Sequence, residues 1–366
     1  MKKRILALCL AISMSVGVSG CGNDQKATDS TDIETDSSKD SEDILAYEDP
    51  DSLPVYAYTG TEEYLDVISE YLIDKSQSTQ ADDTADVLIP FSIVAETDDS
   101  NPDDIVVYGS YNIDGYELMN TTLVAGYGSR GNGAFHIRKN TDGSYEVVNA
   151  QLPEVEEEEA EVFAPVDGLY ERIVALTDDE RMQARAEAIA GYVNTNGLNI
   201  TQWQDYGWAP VSVLNAPPTP EEAQFYTYHS NLGYEVTYDL RELSLSRSDE
   251  EDMFGKVEEN DTGTLMVAEK ADSINSDEVL LAAAGLDADD IDISDAIIGD
   301  DIACRRAEWN EDLEDGRIFR YICYAVPLKE DILTIKLETT YEKGVSEMSL
   351  EDLEREFSSV LSTFAM

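Results

Sequence analysis

The chain is predicted to be an α+β protein of two domains, each an antiparallel β-sheet packed with helices, after a disordered acidic tether. Three observations predict this. Short alternating runs rich in Val, Ile and Tyr are separated by turn clusters such as Asn140-Thr141-Asp142-Gly143, the spacing of hairpins. The strands read as hairpins instead of the repeated alternation of strand, helix and strand with glycine-rich turns, which argues against βαβ units. The cluster Ala216-Pro217-Pro218-Thr219-Pro220 can continue neither a helix nor a central strand. It therefore reads as a linker, 216–222, between folded regions 53–215 and 223–366.

The first residues read as a processing signal. Lys2, Lys3 and Arg4 precede an apolar run from Ile5 to Val18, shorter than the ~20 residues a membrane-spanning helix needs. That length suits a signal peptide over residues 1–20. The run closes on Val18-Ser19-Gly20-Cys21. This resembles the lipobox of bacterial lipoproteins, an apolar residue and two small ones before a cysteine. The resemblance implies a diacylglyceryl group on the Cys21 thiol, cleavage after Gly20, and a location on the extracytoplasmic face of the cell membrane. Residues 21–52 are mostly Asp, Ser, Thr, Glu and Lys. Such a segment cannot offset its ordering entropy by burial, so a disordered tether is expected. About 30 residues of flexible coil span ~30 Å.

In the first domain, Leu53-Pro54-Val55-Tyr56 leads to a helix capped by Thr61, with Tyr64, Leu65, Ile68, Tyr71 and Leu72 on one face. Strands are predicted at Val87–Ala95, Ile105–Leu118, Leu123–Gly126, Ala134–Lys139 and Ser144–Ala150. A two-residue turn at Asp142-Gly143 would set Lys139 opposite Glu146 and Ile137 opposite Val148. The acids Glu154 to Glu161 read as a solvated loop before a helix over Pro165–Leu176. Thr177-Asp178-Asp179-Glu180 is a capping box for a helix carrying Met182, Ala186, Ile189 and Val193 and stopped at Asn196-Gly197. This order of elements resembles the NTF2-like and cystatin-like folds. Val87-Leu88-Ile89-Pro90, Asp98-Asp99-Ser100-Asn101-Pro102-Asp103-Asp104 and Gln204-Asp205-Tyr206-Gly207-Trp208 are similar to phrases of an uncharacterised domain in lipoproteins of Gram-positive bacteria. That resemblance covers roughly residues 61–213 and implies no activity.

In the second domain, strands are predicted near Phe225–Tyr228, Tyr234–Asp239, Thr264–Ala268, Ile291–Ile298, Ile302–Trp309, Arg317–Pro327 and Ile332–Thr340. Ser276 starts a helix that Gly285 ends. Ser349 with Asp352 starts the last helix, whose Leu350, Leu353, Phe357, Val360, Leu361 and Phe364 share a face. The opening Tyr228-His229-Ser230-Asn231 with Gly233-Tyr234, and the closing Leu361-Ser362-Thr363-Phe364, resemble the PsbP/Mog1-like family. The family's fold is a sheet sandwiched by helices, and its members act mainly as binding and assembly factors. No catalytic residues come across.

Charge and residue usage narrow the chemistry. Across 366 residues, 78 acids face 24 lysines and arginines, for a net charge of -54. A surface of this sign opposes nucleic acid and anionic lipid heads. Only His136 and His229 supply imidazole, which leaves few general-base or metal-site designs. No hydrolase elbow, Walker loop or metal-spaced His/Cys set is present. Gly126-Tyr127-Gly128-Ser129-Arg130-Gly131 has dinucleotide-loop spacing, but an alternating segment follows it where a helix is needed, so a strand-to-strand loop is expected. Asp287, Asp289, Asp290, Asp292 and Asp295 lack the glycine and closing glutamate of a calcium loop.

The remaining candidates are few. Trp203, Tyr206 and Trp208 form either a sugar-stacking platform or a packed plug closing the first domain. His136 and Arg138 sit on a strand face that is either open to water or lines a pocket. A hairpin centred between Leu313 and Glu314 would oppose Cys304 and Cys323, leaving a disulfide or a reduced core pair as alternatives. No cofactor, metal or catalytic residue is expected. The expected function is a non-catalytic, membrane-anchored lipoprotein that binds or assembles an extracytoplasmic protein, glycan or other small ligand. A solute-binding component of a transporter is the alternative.

Overall fold

The computed structural model describes residues 53–79, 85–153, 155–257, 264–287, 291–313, 315–342 and 348–366. The signal peptide, the Cys21 lipidation site and the tether lie outside these residues, as do Glu154, Asp289 and Asp290. The fold is mixed α+β: two large sheets and a short hairpin, with helices packed on their faces.

The first sheet runs β1 (Val87–Asp98), β2 (Ile105–Met119), β3 (Thr122–Lys139), β5 (Gln202–Gln204) and β6 (Val211–Ser212), with β4 (Tyr145–Gln151) also on β3. Long β3 divides its second edge: its start pairs in parallel with β5, and its end pairs antiparallel with β4. Alternation sorts the faces. Ile105, Val107, Tyr111 and Ile113 of β2 join Phe135 and Ile137 beneath α1 (Leu65–Thr79) and α4 (Asp178–Asn196). On the other face, Tyr108 and Ala134 meet Phe163, Leu169 and Ile173 of α2 (Glu156–Phe163) and α3 (Leu169–Val174).

The second sheet has the order β12-β13-β14-β15-β11-β10-β9. Its strands are β9 (Leu243–Arg247), β10 (Glu251–Lys256), β11 (Leu265–Ala271), β12 (Ile293–Ile298), β13 (Ile302–Asp312), β14 (Arg317–Pro327) and β15 (Ile332–Glu342). One face is covered by the hairpin β7 (Phe225–His229) and β8 (Glu235–Asp239), and by Leu353, Phe357, Val360 and Phe364 around α6 (Leu350–Glu356) and α7 (Ser358–Ser362). Val279 and Leu280 of α5 (Ser276–Ala284) cover the other, over Ala307, Cys323 and Ala325.

The helix signals hold where a side chain closes the first turn. Thr177 with Glu180, and Ser349 with Asp352, form reciprocal capping boxes, and Gly197 and Gly285 end their helices in the left-handed region. The caps of α5 and α1 shift. Asn275 caps α5 one residue before Ser276, and α1 begins at Leu65 instead of just after Thr61. The acidic stretch is a helix, not a loop. Like-charged neighbours on a helix cost a few tenths of a kcal/mol per pair, whereas burying Phe163 completely contributes roughly 1.5–3 kcal/mol. The apolar anchor wins.

The glycine segment 126–131 also differs from its expectation, because it is part of β3. Gly128 pairs with Asp114, and a Cβ there would lie 2.3 Å from Asp114 Oδ1. Gly128 makes room for a cross-strand side chain, whereas Gly126 and Gly131 face open space along one continuous strand.

One turn design recurs and moves two expected registers. In 140–144, 230–234 and 313–317 the first residue's N–H donates to the fifth residue's carbonyl, and the glycine N–H donates back to the first residue's carbonyl. Gly143, Gly233 and Gly316 have φ of 92°, 95° and 88°. These are three-residue loops with glycine in the left-handed position. Consequently Lys139 faces Tyr145, and Arg138 faces Glu146. In the second hairpin Cys323 faces Ala307, and Arg305 faces Ala325. The expected Cys304–Cys323 opposition is thereby corrected. Both thiols are free and buried, and they lie on opposite faces of the sheet, Cys304 in the core under α6 and α7 and Cys323 under α5.

Candidate functional site

The two sheets meet along a seam organised by Gln204, the last residue of β5, and the four residues after it. The Trp208 N–H donates to the Asp205 carbonyl at 3.1 Å, and Gly207 has φ of 80°, a turn that needs glycine at its third position. The turn aims successive groups apart. Gln204, fully buried, donates its amide to the carbonyls of Leu240 at 2.7 Å and Trp208 at 2.9 Å. Asp205 accepts both terminal nitrogens of Arg185, at 2.7 and 2.6 Å. The Gly207 N–H donates to Ser244 Oγ at 2.7 Å. Tyr206 rests on Gly255 of β10. Further along, Asn120 donates to the carbonyls of Ala223 and Phe225 at 3.2 and 2.8 Å, and Arg247 pairs with Glu117 at 2.6 Å.

Arg185 fixes this turn from behind. It occupies a core-facing position of α4, in register with Ile189, Tyr192 and Val193, and is 2% exposed. Its Nε lies 2.8 Å from Asp114 Oδ2 and donates to the Tyr116 hydroxyl at 2.7 Å. Its guanidinium stacks over the Trp203 indole at 4.4 Å. Burial opposes the Arg185 charge, but hydrogen bonding to Asp205 and the fields of Tyr116 and Asp114 outweigh it and hold its pKa above the ordinary value. Burial lifts the Asp114 carboxyl, with Arg185 pulling against that rise. Such a cluster stabilises only while every member is paired.

A second buried carboxylate organises the other half. Asp252 is 1% exposed and accepts hydrogen bonds from the Tyr228 and Tyr234 hydroxyls, each at 2.7 Å, and from Ser230 Oγ. Three residues of Tyr228-His229-Ser230-Asn231 and Gly233-Tyr234 thus converge on one group of β10. His229 turns outward to Glu235, 3.0 Å away.

Between the sheets lies a cavity of about 140 Å³. Gly115 and Glu117 of β2, Gly126 and Tyr127 of β3, and Tyr206 line one side, and Leu245, Ser246 and Arg247 of β9 the other. Burial pushes the Tyr206 hydroxyl up to about 12, and that hydroxyl has no hydrogen-bond partner among the described residues. The arrangement offers a phenolic donor, an aromatic wall and an Arg–Glu pair around a glycine floor.

The expected site residues are not brought together. Trp203 is 2% exposed beneath Arg185 and has no face for a ligand, so a three-ring platform is not formed. Trp208 is 72% exposed, and Tyr206 lines the seam. His136 bonds Asp104 at 2.8 Å, and Arg138 pairs with Glu146. Their strand is covered on the His136 side by α2 and α3 through Tyr108 and Ala134. Sequence reading missed Arg185, Asp114, Asp252 and Arg247. An arginine in an apolar slot of α4 was the available signal for the first.

Among the described residues no group of three or more His, Cys, Asp or Glu could hold a metal ion, and no helix is long and apolar enough to cross a membrane. No protein-family model and no curated protein matches the sequence. A crystal structure from Bacteroides thetaiotaomicron is similar over 36% of this chain, at 13% identity and a TM-score of 0.24. The chain spans 44% of that protein's length.

Proposed function

We propose that the chain is a non-catalytic, lipid-anchored, extracytoplasmic lipoprotein that binds or helps assemble a partner, with the seam as its binding site. The seam cavity carries this reading. Ligand sites favour clefts where two structural units meet and a few polar groups converge on an apolar wall. The Arg185 and Asp252 clusters, by contrast, spend their charge on holding the fold. A volume of about 140 Å³ suits a small neutral molecule or one edge of a larger one. The net charge of -54 favours a basic protein over an acidic one. The lipobox-like Val18-Ser19-Gly20-Cys21 supports the anchor. A solute-binding component of a transporter is the second reading, favoured by the same cavity between two lobes.

Gly126 allows a clean test, since a Cβ there meets nothing within 4 Å. Gly126→Leu should fill the cavity without strain. Binding of a panel of neutral mono- and disaccharides, measured by calorimetry, should appear in the native protein and be lost in Gly126→Leu and weakened in Tyr206→Phe. Equal binding by Gly126→Leu would remove the cavity from consideration. Cys21→Ser should release the protein from membranes and abolish labelled fatty-acid incorporation, and unchanged fractionation would refute the anchor.

A further inference from the structure

The second sheet leaves one stretch of strand edge open. β12 pairs with β13 only from Ile302 to Ala307. Glu308–Asp312 therefore run on with β14 on one side and, among the described residues, no strand on the other. Glu308-Trp309-Asn310-Glu311-Asp312 carries three carboxylates and no lysine or arginine. Alternation sends Trp309 and Glu311 to the face that α5 covers further along the strand, and Glu308, Asn310 and Asp312 to the other. On the α5 face the Trp309 ring stacks on Tyr321 at 5.1 Å, and Tyr321 on Phe319 at 5.7 Å. All three rings are only partly buried. Glu338 faces Tyr321 and Glu311 faces Phe319 across the strands. Burial, then the charges of Glu338 and Glu311, lift the Tyr321 hydroxyl above its ordinary range.

We propose that the outer edge of β13 over Glu308–Asp312 accepts an extended, arginine-bearing segment of a partner protein as an added strand. This is a surface apart from the seam. Trp309, Tyr321, Glu338, Leu265 and Gly255 form one row of paired residues across the sheet, which puts the edge four strand spacings, ~19 Å, from the seam residue Gly255. The unpaired N–H and C=O groups of an open edge are a template for another strand. Charge selects which strand. Opposite charges stabilise a cross-strand pair and like charges destabilise it, so this edge favours a basic segment. Arginine suits it better than lysine, because a guanidinium stacks on a ring and forks to a carboxylate at once. The chain holds its own cations in this way. Arg185 lies over Trp203 at 4.4 Å and on Asp205, and Arg241 over Phe225 at 5.9 Å and on Glu221 and Asp239. Lys336 lies over Tyr321 at 5.7 Å and on Glu338. Trp309 and Glu311 offer the same ring and carboxylate to an incoming side chain. A second copy is the weaker occupant, because pairing two such edges sets like charges opposite between chains of net charge -54.

Calorimetry on the whole chain with a synthetic peptide in which arginine alternates with valine tests the edge directly. At neutral pH that peptide should bind about tenfold more tightly, or better, than its glutamate counterpart. It should exceed by a similar margin the same arginine peptide N-methylated on alternate amides, which cannot complete a strand ladder. Glu311→Lys with Asp312→Lys, both at exposed positions, should reverse the preference between the arginine and glutamate peptides. Trp309→Ala should weaken the arginine peptide about tenfold. Equal binding of the N-methylated peptide would reduce the interaction to general attraction and overturn strand addition. An unchanged preference in Glu311→Lys/Asp312→Lys would overturn the site, as would failure of the arginine peptide to bind. A native chain that dimerises in sedimentation and becomes monomeric in Glu311→Lys/Asp312→Lys would assign the edge to a second copy instead.

Discussion

The hydroxyl end of Tyr206 rests on Gly255, so closely that a Cβ at position 255 would lie 2.7 Å from the tyrosine oxygen. Tyr206 lies in the turn after β5 and Gly255 in β10 of the second sheet, and the missing side chain is what lets that turn dock on the strand. Gly255→Ala should therefore lower stability by about 1–2 kcal/mol, in the range of modest overpacking. In a Tyr206→Phe background the clashing oxygen is gone, so the same change should cost less. A denaturation double-mutant cycle showing purely additive effects would refute the contact as a source of docking energy.

Arg185 stands between Asp114 and Asp205 with almost no exposure. Arg185→Met should cost about 3–5 kcal/mol, because it strands Asp114 as an unpaired buried charge. The pH dependence follows from sign. Burial already raises the Asp114 pKa, so the folded state holds that proton more tightly than the unfolded chain. The associated stability is present below the ordinary carboxyl range and is lost as pH rises through the folded value. Removing Arg185 removes the pull in the other direction. The deficit of Arg185→Met should shrink on acidification, as urea midpoints at pH 4 and pH 7 would record. A deficit independent of pH would mean that Asp114 is not the stranded group.

The α+β class, the capping boxes at Thr177 and Ser349, and most strands of both halves were legible because local chemistry decides them. Thr177 and Glu180 satisfy each other's backbone whatever surrounds them. Registers were less legible. Asp142-Gly143 reads as a two-residue turn, yet it closes a three-residue loop, and only the hydrogen bond from Asn140 N–H to the Ser144 carbonyl distinguishes the two. Strands β5, β6, β9 and β10 are short or polar, and Asp252 is buried within one of them. Their burial comes from long-range partners such as Tyr228 and Tyr234, which no local window contains. Trp203 illustrates the same limit, since aromatic spacing alone does not say that Arg185 will cover it.

On the reading that processing removes Cys9 and lipidates Cys21, Cys304 and Cys323 should both be alkylated after denaturation without reductant, giving a mass increase of two labels. In the folded protein both should react slowly, since burial pushes Cys304 to about 11 and Cys323 to about 12, leaving little thiolate at neutral pH. An unlabelled pair in denatured, unreduced protein would contradict the register of β13 against β14.

The linker gives the last prediction. Residues 216–220 run between the sheets without regular structure, with Pro217 and Pro218 among them, so limited proteolysis should nick near Pro217–Glu221. The nick should not separate the pieces. Gln204 to Leu240, Gly207 to Ser244, Asn120 to Ala223 and Phe225, and Glu117 to Arg247 all cross the seam independently of the linker. Met119 and Val124 of the first sheet are also buried in the core of the second half. Nicked protein should therefore elute as one species in size-exclusion chromatography at moderate salt. High salt should weaken only the exposed Glu117–Arg247 pair, leaving the buried Gln204 bonds to hold the halves. Gln204→Leu removes those bonds and leaves the Leu240 carbonyl without its donor, at a cost of about 1–3 kcal/mol. Nicked Gln204→Leu should dissociate at lower denaturant than nicked native protein. If native halves separate immediately on cleavage, the seam is held by the linker and cannot be a stable binding cleft.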